Sequence, residues 1–409
     1  MHHLGFESWH FPFALLFWLS AAAVVHTYLF YPFLLKFLAR RRTPTDPPFL
    51  QEDELPRVSV LMAMYNEEVV VERKLKTLLA LDYPTDLLEI FLGSDRSSDR
   101  TDDICRRYAA RHPNIHFRRF EQRTGKPGIV NALYASARKQ VSSHDHLLLL
   151  TDANVFPRPD LLRHMVRHFH DPRIALVDAH MQHTGADGGG IAASEDAYIR
   201  REVRIKHHES VLWQRMIGPF GGCFAMRAEL FRPVPSNYKV DDFYLAMSLL
   251  ERNFLAVNDL AAVCTETVSR EIADEFRRKR RIGTGNFQNL WRFRGLWLRP
   301  WRITGFALLS HKILRWLTPF ALMPAFVCSV ILAVGTDLLL YRIALVVQLL
   351  LWGFLPLLDV LFPQLHRHWR LPRHVHYFLR MNLALALGCF DWMRGVRDGT
   401  WEPVGRVDG

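Results

Sequence analysis

Long apolar segments lie towards both ends of the chain, and residues 43–290 contain none. The first runs from Phe11 to Leu38, has no charge before Lys36, and exceeds the roughly 20 residues that a membrane-spanning helix needs. A signal peptide is the competing interpretation, but its apolar core is limited to about 15 residues. Arginines at positions 40–42 follow, and basic flanks usually stay cytoplasmic. We predict that residues 1–42 form a spanning helix and its basic flank, with the N-terminus outside.

The C-terminal part contains two further predicted spans, Phe320 to Gly335 and Ile343 to Phe362. A third apolar segment, His376 to Met393, is short and is interrupted by Arg380, so it either spans or lies in the interface. Residues 318–393 therefore hold two or three transmembrane helices. Either the third segment does not cross, or the tail at residues 394–409 is external, or the amphipathic region at residues 291–317 also crosses. The pattern does not decide between these three arrangements.

Residues 291–317 mix Arg and Lys with Trp, Phe and Leu, which is the composition of an amphipathic region at the headgroup level. An ordinary linker to the next span is the alternative. Residues 43–290 should form a soluble domain on the cytoplasmic side.

Within that domain, short β-rich runs alternate with segments of helical periodicity. The runs are "RVSVLMAMYN", "LEIFLGSD", "IHFRRF" and "HLLLLTDAN", and the helical segments between them are "VVVERKLKTLLAL", "RTDDICRRYAARH" and "GKPGIVNALYASARKQV". Such alternation predicts an α/β domain with a parallel sheet. Ligands bind such sheets at the carboxyl ends of the strands.

Polar side chains follow these strands where each one ends: Asn66, Asp95 and Asp152. A single Asp at such a position is often only a turn or cap residue. Two carboxylates that converge on one crevice repel each other unless a positive group lies between them. A metal ion, or a metal-bound diphosphate, meets that need. We therefore predict a metal-nucleotide site.

Composition narrows the class of protein only a little. With 49% hydrophobic residues the chain can build a core, which excludes a disordered protein. The formal charge of +11 suits a nucleic acid, an anionic membrane or a phosphorylated substrate equally well. The five cysteines show no paired short spacing, so the sequence indicates neither a zinc site nor a disulfide framework.

Six stretches occur in a recognisable order: "YNEE", "GSDRSSDRT", "GKPGIVNAL", "TDAN", "KVDDF" and "RRKRRIGTG". Together they resemble the membrane branch of glycosyltransferase family 2, which includes cellulose and hyaluronan synthases, over Pro56 to Leu290. The resemblance implies a GT-A domain, the Rossmann-like α/β fold of nucleotide-diphospho-sugar transferases, inserted between N- and C-terminal transmembrane helices. It also implies a multi-pass protein of a bacterial-type inner (plasma) membrane with its catalytic domain in the cytoplasm.

The implied activity is inverting transfer of a sugar from a nucleotide-sugar donor, expected to be a UDP-sugar, to a glycan or lipid acceptor. Exopolysaccharide or glycolipid synthesis is the expected setting. The expected partners are the donor, the acceptor, the membrane and other biosynthesis or export proteins, and no nucleic acid.

The resemblance assigns the donor-binding residues. Asn66 and Glu67 lie on the loop after the first strand, Asp95 binds the uracil or ribose, and Lys126 lies near the phosphates. Arg278, Arg281 and Ile282 occupy the places of Gln, Arg and Trp in the family's Gln-x-x-Arg-Trp motif. Arg281 keeps the pyrophosphate role, whereas Ile282 lacks the flat ring on which processive synthases stack the growing polymer.

The remaining roles follow in the same way. Asp152 matches the first Asp of the metal-binding Asp-x-Asp pair, with Asn154 in the second place, and the metal is Mg²⁺ or Mn²⁺. The amide of Asn154 is a weaker ligand than a carboxylate, so metal binding without the donor should be weak. Asp242 is the expected general base, and Asp241 takes the place of the preceding Glu. Gly221, Gly222 and Trp401 are expected on the acceptor side.

Three other functions remain as alternatives. A processive polysaccharide synthase is the first. A nucleotidyltransferase also holds a metal between aspartates, but it needs a glycine-rich loop near the first strand, and "AMYNEE" has no glycine. A catalytically inactive membrane sensor or scaffold that binds nucleotide is the third.

Overall fold

The computed structural model describes residues 9–42, 47–141, 145–184, 191–267, 272–362 and 369–401. The first part comprises α1 (His10–Ala39), β1 (Arg57–Met64), α2 (Glu68–Leu79), β2 (Leu88–Ser94), α3 (Thr101–Arg111), β3 (Ile115–Arg119), α4 (Gly125–Gln140), β4 (His146–Thr151), β5 (Val155–Pro157), α5 (Leu161–Val166) and β6 (Ile174–Thr184). Next come α6 (Ile191–Trp213), β7 (Cys223–Arg227), α7 (Asp241–Glu251), β8 (Leu255–Thr267), α8 (Ile272–Arg292), α9 (Arg294–Trp297), α10 (Ile303–Leu308), α11 (Leu314–Trp316), α12 (Thr318–Gly335), α13 (Leu339–Leu361) and α14 (Leu371–Met393).

One eight-stranded sheet forms the centre of the soluble domain, in the order β3-β2-β1-β4-β7-β6-β8-β5. Successive strand residues point to opposite faces, so β1 supplies Val60 and Met62 to one buried cluster and Leu61 to another. Helices α2, α3 and α5 cover the first face, and α4 and α7 cover the second. Burial on both faces explains why these strands read as continuous apolar runs.

The sheet is mixed and contains both parallel and antiparallel strand pairs. Strands β3, β2, β1 and β4 are parallel, as the alternation with helices predicts. Strand β7 then lies antiparallel between β4 and β6, and β5 is antiparallel to β8.

Among the described residues, three helices are long and apolar enough to cross a membrane: α1, α12 and α13. They coincide with the three predicted spans. The predicted interfacial region at residues 291–317 is a chain of short helices rather than one amphipathic helix. Two of its aromatic side chains are exposed, Trp291 at 58% and Trp301 at 76%, whereas Phe293 and Trp316 are buried.

Helix α14 packs along α8 rather than standing apart from the soluble domain. Arg280 of α8 forms a salt bridge of 2.6 Å with Asp391 of α14. A Cβ on Gly388 would lie 2.6 Å from the carbonyl oxygen of Arg280, so the two helices approach each other closely. Beyond α14 the tail returns to the soluble domain, where Lys239 Nζ lies 3.3 Å from Asp398.

Candidate functional site

A cavity of about 1200 Å³ opens at the carboxyl ends of β1 and β4 and extends under α8 and α14. Eleven of the thirteen predicted site residues line it: Glu67, Lys126, Asp152, Asn154, Gly221, Gly222, Asp241, Asp242, Arg278, Arg281 and Trp401. Ile282 lines it as well. Asn66 and Asp95 do not line the cavity. Their side chains accept hydrogen bonds from the backbone of loops behind its wall.

Asp95 is fully buried and organises the start of α4. Its carboxylate accepts hydrogen bonds from the backbone N–H of Thr124 at 2.6 Å and of Gly125 at 3.1 Å, and from Nε of Arg123 at 3.1 Å. Asp95 thereby fixes the turn that presents Lys126 to the cavity. Contact of Asp95 with a nucleotide stays a prediction.

Asn66 holds the neighbouring loop in a similar way. It adopts a left-handed backbone conformation with φ of 52°, which Asn tolerates better than most residues. Its amide oxygen accepts a hydrogen bond of 2.8 Å from the backbone N–H of Ser98. Glu67, the next residue, donates its backbone N–H to Thr101 Oγ1 at 2.8 Å. These bonds join the loop after β1 to the loop after β2.

Lys126 lies among the predicted catalytic and metal-binding carboxylates. Its Nζ is 2.8 Å from Oδ1 of Asp152 and 3.7 Å from Oδ1 of Asp241. Burial opposes the charge of this lysine, but attraction by Asp152 and Asp241 outweighs it and raises the pKa of Lys126. Burial likewise opposes the charge of Asp152, and Lys126 outweighs it, so the pKa of Asp152 is lowered. This lysine therefore neutralises the acidic cluster.

Asp242 has the properties of a general base at neutral pH. Burial, and next the charge of Asp241, raise its pKa to about 7. Both aspartates open α7, where the positive end of the helix dipole favours anions. A Cβ on Gly221 would lie 2.5 Å from Oδ2 of Asp242, and Gly221 has a φ of +35°. Only glycine leaves room for the Asp242 carboxylate there.

The loop that carries Gly221 and Gly222 is tied to the sheet and to the Asp152 loop. The backbone N–H of Phe220 donates to Asp178 at 2.9 Å, and the buried Lys206 Nζ lies 2.5 Å from the same carboxylate. The carbonyl oxygen of Gly222 accepts from the backbone N–H of Asp152 at 3.0 Å. The loop of Gly221 and Gly222 and the loop of Asp152 are therefore fixed relative to each other.

Asn154 has a partner that the sequence did not indicate. Its amide nitrogen donates to Oε1 of Glu266 at 2.7 Å, which leaves the amide oxygen as the ligand atom. His183 Nε2 lies 3.9 Å from the other oxygen of Glu266. In the described part of the chain, no group of three or more His, Cys, Asp or Glu side chains is arranged to hold a metal ion. The donor set of Asp152 and Asn154 fits a Mg²⁺ or Mn²⁺ ion whose other ligands come from a diphosphate.

Arg278 and Arg281 reach the cavity from α8. Arg278 lies 3.6 Å from Glu275, and Arg281 forms no salt bridge with any described carboxylate. Burial, and next the charge of Arg278, lower the pKa of Arg281. A guanidinium in this environment is suited to a diphosphate, whose oxygens match its planar fork.

Trp401 closes the cavity from the tail. Its carbonyl oxygen accepts a hydrogen bond of 2.6 Å from Arg123, and its ring meets Tyr65 edge-on with centroids 6.2 Å apart. The Arg123 guanidinium stacks 3.5 Å from the centroid of the Tyr65 ring. Arg123 thus joins the buried Asp95 to the tail, a role that no sequence motif indicates.

Lys74 is a second residue that the sequence analysis missed, although its position carried a signal. It lies with Val71, Leu75 and Leu78 in the apolar stripe of α2 and is fully buried. Its Nζ donates to Oγ1 of Thr151 at 2.8 Å and to the carbonyl oxygen of Val155. It thereby contacts both ends of the loop that holds Asp152 and Asn154.

Comparisons with known proteins agree with this architecture. The model of glycosyl transferase family 2 matches residues 59–234, and that of glycosyl transferase family group 2 matches residues 147–370. A probable glycosyltransferase, YdaM of Bacillus subtilis, is 48% identical over 62 residues, which is 15% of each chain. The β-monoglucosyldiacylglycerol synthase of Synechocystis is 29% identical over 175 residues, 40% of this chain and 35% of that protein. This chain therefore spans about a third or less of the length of these two curated relatives.

A solved structure extends the likeness to most of the chain. The mannosyltransferase PcManGT from Pyrobaculum calidifontis, in complex with GDP-Man and Mn²⁺, superposes with a TM-score of 0.62 at 21% identity. The match covers 90% of this chain and 99% of that one. The likeness confirms the GT-A fold that the sequence resemblance implies.

Proposed function

Because the chain belongs to glycosyltransferase family 2, we propose that it transfers a sugar from a nucleoside diphosphate sugar to a hydroxyl group of an acceptor at the membrane. The observation that carries the proposal is the convergence of Asp242, Asp152, Lys126 and Arg281 on one cavity. This set provides a base, a metal ligand and two cations for a leaving diphosphate. A binding protein would not need the base.

The donor diphosphate would lie between Lys126 on α4 and the two arginines of α8, Arg278 and Arg281. Asp152 and the amide oxygen of Asn154 would hold a Mg²⁺ or Mn²⁺ ion, which supplies positive charge to the leaving diphosphate when bound. PcManGT was solved with Mn²⁺, which supports a divalent ion without choosing between the two. Lys126 would exchange its contact with Asp152 for the diphosphate.

The reaction is a single displacement in this proposal. Asp242 takes the proton of the acceptor hydroxyl, whose oxygen bonds to the anomeric carbon as the bond from that carbon to the diphosphate oxygen breaks. Attack opposite the leaving group inverts the anomeric centre. A carboxylate with a pKa of about 7 is half ionised near neutral pH, and positioned general bases contribute roughly 10²- to 10⁴-fold to the rate.

The proposed membrane arrangement follows from contacts of the tail. If α1, α12 and α13 each cross once, α14 and the tail end on the same side as the soluble domain. Contacts of Lys239 with Asp398 and of Arg123 with Trp401 support this arrangement, because they join the tail to the domain that holds the cavity. A third C-terminal crossing would separate them. We propose three crossings of the inner membrane, with the domain and the tail both in the cytoplasm.

The donor and the mode of transfer are also proposals. A UDP-sugar is the expectation from the family resemblance, whereas PcManGT was solved with GDP-Man. Ile282 lines the cavity where processive synthases have a tryptophan. This favours transfer of one or a few sugars over extension of a long polymer.

Nucleotide release from purified full-length protein in detergent tests the proposal. UDP-, GDP- and dTDP-sugars would be tried with Mn²⁺ or Mg²⁺, beside Asp242→Asn and the surface variant Asp103→Asn. We expect metal-dependent release from one donor, lost in Asp242→Asn and retained in Asp103→Asn. Release that persists in Asp242→Asn, or failure of every nucleotide to bind, would overturn the assignment.

A further inference from the structure

The cavity continues past the catalytic residues to a second region at the membrane, which we call the membrane limb. Its wall includes Tyr28, Arg201, Lys312, Arg315, Phe378 and Met381. These residues come from α1, α6, the segment before α12, and α14. The rings of Tyr28 and Phe378 meet edge-on with centroids 5.5 Å apart. A spanning helix thus forms part of the wall of the same cavity that holds Asp242.

The membrane limb lies next to α1 and α12, two of the helices that are long and apolar enough to cross a membrane. Lys312 and Arg315 precede α12 by less than two turns. In α1, Tyr31 donates its hydroxyl to the buried Glu209 of the soluble domain at 2.8 Å, which places this part of α1 at the cytoplasmic boundary. Trp301 and Ile303, which precede α12 in the chain, are exposed apolar side chains of the kind found at membrane interfaces.

Positive charge exceeds negative charge in this limb. Glu202 is the carboxylate that pairs with both Lys312 and Arg315, the latter at 2.6 Å. Arg201, one residue before it, forms no salt bridge with any carboxylate that the structure describes. The carboxylate of Glu202 is therefore shared by Lys312, Arg315 and also His311, and Arg201 has no carboxylate of its own among the described residues. Leaving a guanidinium partly buried without a counterion costs free energy, which a bound anion would recover.

We propose that the membrane limb binds the phosphate group of a lipid acceptor, with Arg201 as its principal ligand. This inference rests on the proposed function and names the acceptor class for the same site. The donor diphosphate has its own cations, Lys126 and Arg281, on the catalytic side of the cavity. The aromatic and aliphatic side chains beside Arg201 suit a lipid chain rather than a soluble phosphate. A hydroxyl borne by the same lipid would then extend to Asp242.

Binding of simple probes to the full-length protein in detergent tests this. The probes are farnesyl phosphate, farnesol and inorganic phosphate, compared by thermophoresis in wild type, Arg201→Gln and Arg201→Lys. Arg204→Gln is the matched control, since Arg204 lies on the same helix but is exposed and outside the cavity. We expect wild type and Arg204→Gln to bind farnesyl phosphate about tenfold tighter than farnesol, a difference of about 1.4 kcal/mol.

Arg201→Gln should lose that preference, and Arg201→Lys should keep part of it. Equal binding of farnesyl phosphate and farnesol by wild type would overturn the inference, as would an unchanged preference in Arg201→Gln. Inorganic phosphate that binds as tightly as farnesyl phosphate would contradict a lipid ligand. Nucleotide binding is measured on the same samples. If wild type binds nucleotide but shows no preference for farnesyl phosphate, only this inference fails. If wild type binds no nucleotide, the proposed function fails.

Discussion

The ammonium group of Lys126 lies 2.8 Å from Oδ1 of Asp152, the carboxylate expected to bind the metal ion. It also lies 3.7 Å from Asp241. A lysine therefore supplies positive charge between Asp152 and Asp241. Asp95, the carboxylate expected to converge on Asp152, pairs with Arg123 instead. Binding of a metal ion at Asp152 has to compete with its ion pair to Lys126, and a diphosphate that draws Lys126 away removes the competition.

We predict that Lys126→Met raises the affinity of the nucleotide-free protein for Mn²⁺, because the competing cation is gone. An increase of about tenfold corresponds to about 1.4 kcal/mol. Turnover of the donor should fall in the same variant, since the diphosphate loses a cation. Titration of Mn²⁺ followed by electron paramagnetic resonance measures the affinity. Lys239→Met is the control, because Lys239 lines the cavity but pairs with Asp398. Unchanged or weaker Mn²⁺ binding in Lys126→Met would contradict the competition.

We predict a rise of kcat/KM for the acceptor with pH, with an apparent pKa near 7. The reason is that Asp242 must be ionised to act as a base, and burial with the neighbouring Asp241 raises its pKa to about 7. Asp241→Asn removes the like charge, so the ascending limb should move to lower pH. A profile that stays in place in Asp241→Asn would argue against Asp242 as the titrating group.

The same pKa predicts a stability difference. The folded-state pKa of Asp242 lies above its ordinary value of 3.8, so its contribution to stability is present below about pH 4 and is lost as pH rises through about 7. Asp242→Asn should therefore melt at a higher temperature than wild type at pH 8, with a smaller difference at pH 5. Thermal melting in detergent at the two pH values measures this, and an equal difference at both would contradict it.

Sequence motifs located most of the site because each motif ends a strand or opens a helix at one edge of the sheet. Asp152 follows β4 and Asp241 begins α7, so their convergence follows from topology. Glu266 reaches Asn154 only because β8 pairs with β5 in a register that places it opposite Val155. Strand register between distant segments is set by packing of the whole sheet, which local periodicity does not encode.

The contacts of the C-terminal tail are a second feature that local sequence patterns do not predict. The hydrogen bond from Arg123 to Trp401 joins residues 278 positions apart. The resemblance placed Trp401 near the cavity, but the apolar pattern left the side of the membrane open. Hydropathy also gives no sign of the contacts that the tail makes with Lys239 and Arg123.

We predict that Gly221→Ala impairs catalysis without unfolding the protein. The added Cβ would lie 2.5 Å from Oδ2 of Asp242, so the carboxylate must move. The alanine would also have to adopt the positive φ of Gly221. Misplacement of about 1 Å in a reacting group can cost on the order of 10²-fold in rate. Steady-state turnover and nucleotide affinity would be measured together. Gly295→Ala is the control, since nothing lies within 4 Å of a Cβ there. Turnover equal to that of the control would show that Asp242 is not confined by this loop.

Lys74 gives the last prediction, because a fully buried lysine under the metal-binding loop is costly to keep. Burial lowers its pKa to about 8 from 10.5. Because the pKa of Lys74 is lower in the folded state, the contribution of Lys74 to stability is fully present above pH 10.5 and is lost as pH falls through about 8. Wild type should therefore gain stability between these values, and Lys74→Met should lack that gain.

Lys74→Met should also be less stable overall by about 1–3 kcal/mol, because Thr151 Oγ1 and the carbonyl oxygen of Val155 lose their donor. Thermal melting of both proteins from pH 7 to 10 measures the two effects. Lys76→Met is the matched control on the same helix, where Lys76 is exposed and pairs with Glu72 at 3.1 Å. If Lys74→Met follows the pH dependence of wild type, Lys74 does not titrate in this range. If it is also as stable as Lys76→Met, the lysine does not hold the loop that presents Asp152.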